Sequence, residues 1–223
     1  MIKKMIREIT PPVLWQSALK FRNLLVGRDT KRKFGAEQPP EFYDQSFEES
    51  DHWKKHYTLS HYYPLWTIIA DRIRSLGVNK ILDIGCGPGQ VARLLYDIGV
   101  KEYKGLDFST ARIAMARTVC PAYEFYCADV FKDDLLETYN YDCVLIMEFL
   151  EHVDQDIDLL KRVRPGTPVL ATVPNFAHEG HVRHFNSVAE VESRYSSVLS
   201  QLNVATVLKN EGGITYYVLQ GTR

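Results

Sequence analysis

A run of β-prone apolar residues ends abruptly in three alternating glycines at Lys80-Ile81-Leu82-Asp83-Ile84-Gly85-Cys86-Gly87-Pro88-Gly89. A short apolar run closed by a turn signal predicts a buried strand. Glycine has no Cβ, so the backbone at this turn can bend sharply and lie close against a ligand. The helix expected over Gln90 to about Asp97 would then aim its unpaired N–H groups at that ligand. The dinucleotide fingerprint, Gly-x-Gly-x-x-Gly, needs glycine at position 90, where this chain has Gln90. The pattern present is Asp-x-Gly-x-Gly-x-Gly.

The chain downstream alternates strands and helices. Glu102 to Asp107 reads as a second strand, and Asp107 lies 24 residues after Asp83. An acid at the end of a second strand can accept hydrogen bonds from both hydroxyls of a ribose. Phe108 is placed to pack on a base, and Ser109 is a good cap for a helix over 110–118. Tyr123 to Cys127 alternates as a third strand and runs into Ala128-Asp129-Val130. Tyr141 to Met147 is a near-continuous apolar run, the pattern of a central parallel strand buried on both faces. At its C-terminal end, where open α/β sheets bind ligands, stand Glu148, Glu151 and His152. Asp154 is expected to cap a helix over 155–164, and Pro168 to Val173 reads as strand five.

The loop after strand five carries His178, His181, Arg183 and His184 within seven residues. It should hang over the mouth of the site. Its functional readings are a general base (His181 first), an anion clamp (Arg183), or a further metal ligand. The competing reading is a polar surface loop. Ser187-Val188-Ala189-Glu190 is a capping box opening the next helix, and Val204–Leu208 and Ile214–Leu219 read as the last two strands.

The glycine turn, with these landmarks at their distances, resembles the class I S-adenosylmethionine (SAM) dependent methyltransferases. The Glu-x-x-Glu-His-Val run after strand four resembles the ubiquinone-type members. The Pro-Asn-Phe…His-Val-Arg-x-Phe stretch is similar to bacterial methyltransferases found with cell-surface polysaccharide synthesis. The resemblance covers about residues 65–223. It implies a Rossmann-like α/β fold: a seven-stranded, mostly parallel sheet with an antiparallel last strand and helices on both faces. It implies SAM as cofactor, held by Asp83, Gly85, Cys86, Gly87, Gly89, Asp107, Phe108, Asp129, Val130 and Met147, with Tyr57 as a further contact. It also implies a catalytic group of His181, His152, Arg183 and Glu148. In some relatives Glu-Glu-His binds a divalent metal, which would assign Glu148, Glu151 and His152; others keep the motif without one, and the reading made here is no metal. O-methylation of a glycan, glycolipid or other hydroxylated small molecule is expected. The alternatives are N-methylation of a small molecule and a non-catalytic SAM-binding protein.

Length and charge divide the chain further. The expected parts are a basic helix and linker over 1–40, an aromatic lid over 41–76, and the SAM-binding domain over 77–223. Residues 1–33 carry nine Lys/Arg against Glu8 and Asp29, a net of +7, which leaves −8 on the rest. Such an arm suggests an anionic partner such as a membrane surface, a lipid-linked glycan or nucleic acid; the competing readings are a solvated tail and packing of its helix on the domain or on a second subunit. The helix expected over 13–26 has an apolar stripe at Leu14, Ala18, Phe21 and Leu25. The acidic body argues against nucleic acid. No apolar run has the length of a membrane span and the N-terminus lacks a signal-peptide pattern, so the expected location is cytoplasmic, peripheral at the membrane through the arm. Cys86, Cys120, Cys127 and Cys143 form no Cys-x-x-Cys pair and are expected as free thiols, with Cys127 and Cys143 in buried strands.

Overall fold

Alternation of apolar residues along the strands sorts the side chains onto two faces of one sheet. A computed structural model of the protein describes residues 34–208 and 213–223. The basic arm, including the helix expected over 13–26, lies outside the described residues. The strands are β1 (Lys80–Ile84), β2 (Glu102–Asp107), β3 (Glu124–Cys127), β4 (Cys143–Met147), β5 (Pro168–Pro174), β6 (Ser200–Leu208) and β7 (Thr215–Thr222). Their order is β3-β2-β1-β4-β5-β7-β6. Strands β1 to β5 pair in parallel, and β7 enters antiparallel between β5 and β6. This is the Rossmann-like sheet expected from the sequence.

The helices are α1 (Pro40–Glu49), α2 (Tyr63–Leu76), α3 (Gln90–Asp97), α4 (Thr110–Val119), α5 (Leu135–Thr138), α6 (Asp156–Arg162) and α7 (Val188–Tyr195). In β4, Cys143, Leu145 and Met147 join the core under α2, α3 and α4, whereas Val144 and Ile146 join the core under α5, α6 and α7. Every β4 residue is buried, as a central strand covered on both faces must be. Strand order reverses between β1 and β4, so a crevice opens at their C-terminal ends.

Local chemistry sets the helix boundaries. Gly77 takes a left-handed conformation (φ +66°) and closes α2. Ser109 Oγ accepts from the Arg112 N–H at 3.2 Å and opens α4, and Ser187 Oγ does the same for Glu190 in α7. Two expectations are corrected. Asp154 does not cap α6, which begins after Gln155 without a side-chain cap. Cys127 is exposed, because β3 is an edge strand, while the other three thiols are buried. All four are free.

The aromatic segment before β1 belongs to the same compact unit as the sheet, Phe34–Arg223. It is tied down by polar bonds: Asp44 Oδ1 accepts from the Ala111 N–H at 3.1 Å, and the Gln90 side chain donates to the Lys55 carbonyl at 2.6 Å. No described helix is long and apolar enough to cross a membrane.

Candidate active site

The glycine turn is built around two buried acids. Asp83 is 2% exposed; its Oδ2 accepts from the Tyr103 hydroxyl at 2.6 Å, and its Oδ1 has no partner among the described residues. Burial pushes its pKa up to about 7. Asp107 Oδ2 accepts from the Gly87 N–H at 3.0 Å and Oδ1 from the Ser109 N–H at 2.8 Å, so this carboxylate stitches the turn to the start of α4. Burial raises its pKa as well. Gly85 (φ +74°) lies under Phe149, where a Cβ would come within 2.5 Å of the ring.

Two cavities meet at this turn. The larger, about 300 Å³, is lined by Asp107, Phe108, Asp129, Val130, Glu148, His152 and His181, among others. The smaller, about 90 Å³, is lined by Asp83, Cys86, Gly87 and Met147. Gly85, Glu148, Trp53, Tyr62 and Arg112 line both. From the lid, Tyr43 and Phe42 add aromatic faces to the larger cavity. Asp129 also pins its own turn, accepting from the Phe131 N–H at 3.0 Å and pairing with Lys132 at 2.9 Å.

The polar wall of the larger cavity comes from the segment after β4 and the loop after β5. Glu148 stands in the left-handed region (φ +49°), costly for a side chain with a Cβ, and its N–H donates to Thr172 Oγ1 at 2.9 Å. Glu151, behind this wall and lining neither cavity, is fully buried; neither carboxylate oxygen finds a hydrogen-bond donor among the described residues, and Oε1 lies 3.9 Å from His152 Nε2. Burial, then the nearby Glu148, raises its pKa well above the carboxylate range. His152 Nδ1 lies 2.9 Å from the Gly180 carbonyl, and His181 Nδ1 lies 3.1 Å from the Phe176 carbonyl. A carbonyl only accepts, so each Nδ1 carries the proton and each Nε2 keeps its lone pair. Burial pushes His152 down to about 3 and His181 down to about 4, so both rings are neutral near pH 7. One ligand atom each from Glu151, His152 and His181 lies within 4.8 Å of the others.

Three sequence-based assignments are corrected. Arg183 does not line this cavity; its guanidinium donates to the Leu150 and Val153 carbonyls and to the Asp154 carbonyl, and pairs with buried Asp156 at 3.3 Å. Arg183 thereby satisfies carbonyls of the turn Leu150–His152 and of the two residues that follow it. Tyr57 also points away, donating to Asp97 Oδ2 at 2.9 Å. Gly89 (φ +82°) lines neither cavity; a Cβ there would fall 2.8 Å from Ala116 Cα, so the glycine serves α3–α4 packing. The metal trio differs from the one the motif suggests, with His181 beside Glu151 and His152 in place of Glu148. Arg112 is a cavity residue that motif reasoning missed. Its signal was a cation in the first turn of α4, the wrong end of the helix dipole.

Comparison with known proteins agrees with this architecture. The family described as "Methyltransferase domain" matches residues 81–165. The chain is 32% identical over 205 residues to a ubiquinone biosynthesis O-methyltransferase of Neisseria meningitidis serogroup C (strain 053442), covering 80% of this chain and 84% of that protein. Among solved structures, the [4+2]-cyclase SpnF superposes with a TM-score of 0.57 at 17% identity, over 72% of this chain and 80% of that one. The N-terminal domain of EvdMO1 with SAH bound gives 0.53 at 18% identity, over 69% and 80%. These structural likenesses show the fold. With the identity to the Neisseria protein over most of both chains, they place this chain in the class I SAM-dependent methyltransferases, an enzyme family that uses SAM as its methyl donor.

Proposed function

We propose that the protein is an O-methyltransferase, acting on a hydroxyl of a glycan, glycolipid or other small hydroxylated acceptor. The observation that carries this reading is the polar wall, where two neutral histidines, His152 and His181, line one side of the larger cavity with Glu148, and the buried Glu151 lies behind them beside His152. An amine acceptor needs only a free lone pair, whereas a hydroxyl must lose its proton.

In this reading SAM supplies an electrophilic methyl group on a sulfonium. Of the residues lining the larger cavity, Asp107 would accept from the ribose hydroxyls, Phe108 and Val130 would cover the adenine, and Asp129 would meet its amino group. Asp83, Cys86, Gly87 and Met147 in the smaller cavity would hold the methionine end. The acceptor oxygen forms the new C–O bond as the C–S bond breaks and its electron pair stays on sulfur. The proton passes to Nε2 of His181 or His152. Tyr43, Trp53 and Phe42 exclude water and hold the acceptor in line, which supplies much of the rate enhancement.

The same three side chains fit a divalent cation. Glu151 is a buried carboxylate with no hydrogen-bond donor among the described residues, and each histidine is oriented through Nδ1 by a backbone carbonyl, as metal-ligating histidines are. A bound cation would lower the pKa of an acceptor hydroxyl. With the histidines so engaged, Glu148 takes the proton. The test is thermal unfolding with Mg²⁺, Mn²⁺ or Zn²⁺, with methyl transfer followed before and after chelation. The expected result is stabilisation by one of these ions that E151Q and H181A abolish, and a fall of about 10²-fold or more in transfer for H181A. Full transfer by H152A and H181A would overturn the catalytic assignment.

A further inference from the structure

Arg112 is a cation in the cavity that makes no ion pair within 4 Å among the described residues. It is the third residue of α4, and its guanidinium carbon lies 5.1 Å from the Tyr43 ring centre and 5.3 Å from that of Trp53. Nε is buried without a hydrogen-bond partner, and no carboxylate pairs with the side chain among the described residues. The nearby acids are already committed: both oxygens of Asp107 hold backbone N–H groups, and Asp44 Oδ1 holds Ser109 and Ala111. The first turn of a helix is also the end where a cation is disfavoured. The guanidinium acts on the buried Asp107 at longer range, but its buried Nε–H stays without an acceptor until one arrives in the cavity.

The two aromatic faces hold the planar fork in a fixed orientation, which lowers the entropy lost when it binds a planar, bidentate carboxylate. Arg112 lines both cavities, and Tyr43 links it to the reaction wall, with its hydroxyl 3.1 Å from His152 Nδ1. We propose that Arg112 is the anion receptor of the site and binds a ligand carboxylate. Two sources present that group here: the methionine carboxylate of SAM in the smaller cavity, or an acidic substituent on the acceptor in the larger one. This rests on the cavities being the SAM and acceptor sites.

The test is calorimetric binding to the whole chain, with R112M and R112K beside wild type. S-adenosylhomocysteine carries the methionine carboxylate, and 5′-methylthioadenosine lacks it. If the cofactor is the source, R112M loses about 30-fold or more in affinity for S-adenosylhomocysteine, keeps its affinity for methylthioadenosine within about twofold, and R112K recovers part of the loss. If the acceptor is the source, S-adenosylhomocysteine binding is unchanged, and benzoate titrated into the S-adenosylhomocysteine-saturated protein binds wild type but not R112M. Equal behaviour of wild type and R112M toward all three probes overturns the proposal. So does a parallel loss of S-adenosylhomocysteine and methylthioadenosine, which would mark a structural role. Failure of wild type to bind S-adenosylhomocysteine at all would instead overturn the cofactor site itself.

Discussion

Asp83 and Glu151 are buried carboxylates, each with oxygen atoms that no described donor reaches. Each destabilises the ligand-free protein when ionised, so each is a place where stability has been exchanged for a site. For Asp83 the sign is explicit. Its folded pKa is raised to about 7 against an unfolded value near 4, so between these pH values the folded state binds more protons than the unfolded one. Stability attributable to Asp83 is therefore full below about pH 4 and falls as pH rises through 7. Urea unfolding at pH 5 and pH 8 should show wild type losing on the order of 2 kcal/mol relative to D83N, whose amide oxygen can still accept from Tyr103. A difference that does not change with pH would mean Asp83 ionises freely. At Glu151 the neutral isostere E151Q should raise the melting temperature of the metal-free protein, the opposite of its effect on cation binding; a lowered melting temperature would show that the charge is already compensated.

At the scale of elements, helix α4 meets α3 through Gly89, and the loop after β5 is held by Arg183. Gly89→Ala adds a Cβ within 2.8 Å of the Ala116 backbone at a φ of +82°, and should cost about 2 kcal/mol or more in chemical denaturation. R183M leaves the Leu150 and Val153 carbonyls without this donor and Asp156 with Arg194 as its remaining cation; the expected loss is about 1–3 kcal/mol, read by the same method. Wild-type stability in R183M would return the residue to the ligand side. These two positions also show where sequence reasoning holds and where it stops. Strands β1 and β2 could be bounded from the chain because apolar runs, Gly85 and Asp107 are local signals. The wall residues His152 and His181 were legible as a region because the segments after β4 and β5 lie at the C-terminal edge of a parallel sheet, where ligands bind; which residues of those segments face the cavity was not. Arg183 and Tyr57 were not, because they lie in irregular backbone. Without a period of 2 or 3.6, neighbouring positions carry no information about which side they face. Trp53 points inward and Tyr57 outward within one short stretch of 3₁₀ turns.

The whole molecule carries an uneven charge, +7 over residues 1–33 and −8 over the remainder. We propose that the arm brings the enzyme to an anionic membrane surface, where a lipid-linked acceptor would be met. The full chain should then sediment with vesicles containing phosphatidylglycerol, and lose that binding in high salt or on removal of residues 1–33. Unchanged partitioning after truncation would remove the membrane from the account. The central claim, that the His152 and His181 wall, with Glu151 buried behind it, prepares a hydroxyl for methylation, is tested most directly by labelled methyl transfer. Wild type and H181A, given labelled SAM, are incubated with an extract of the source cells, and the labelled product is fractionated and hydrolysed. The account predicts a methyl ether in the glycolipid, polysaccharide or small-molecule fraction that H181A fails to form. Label on nitrogen, or equal label from H181A, would contradict it.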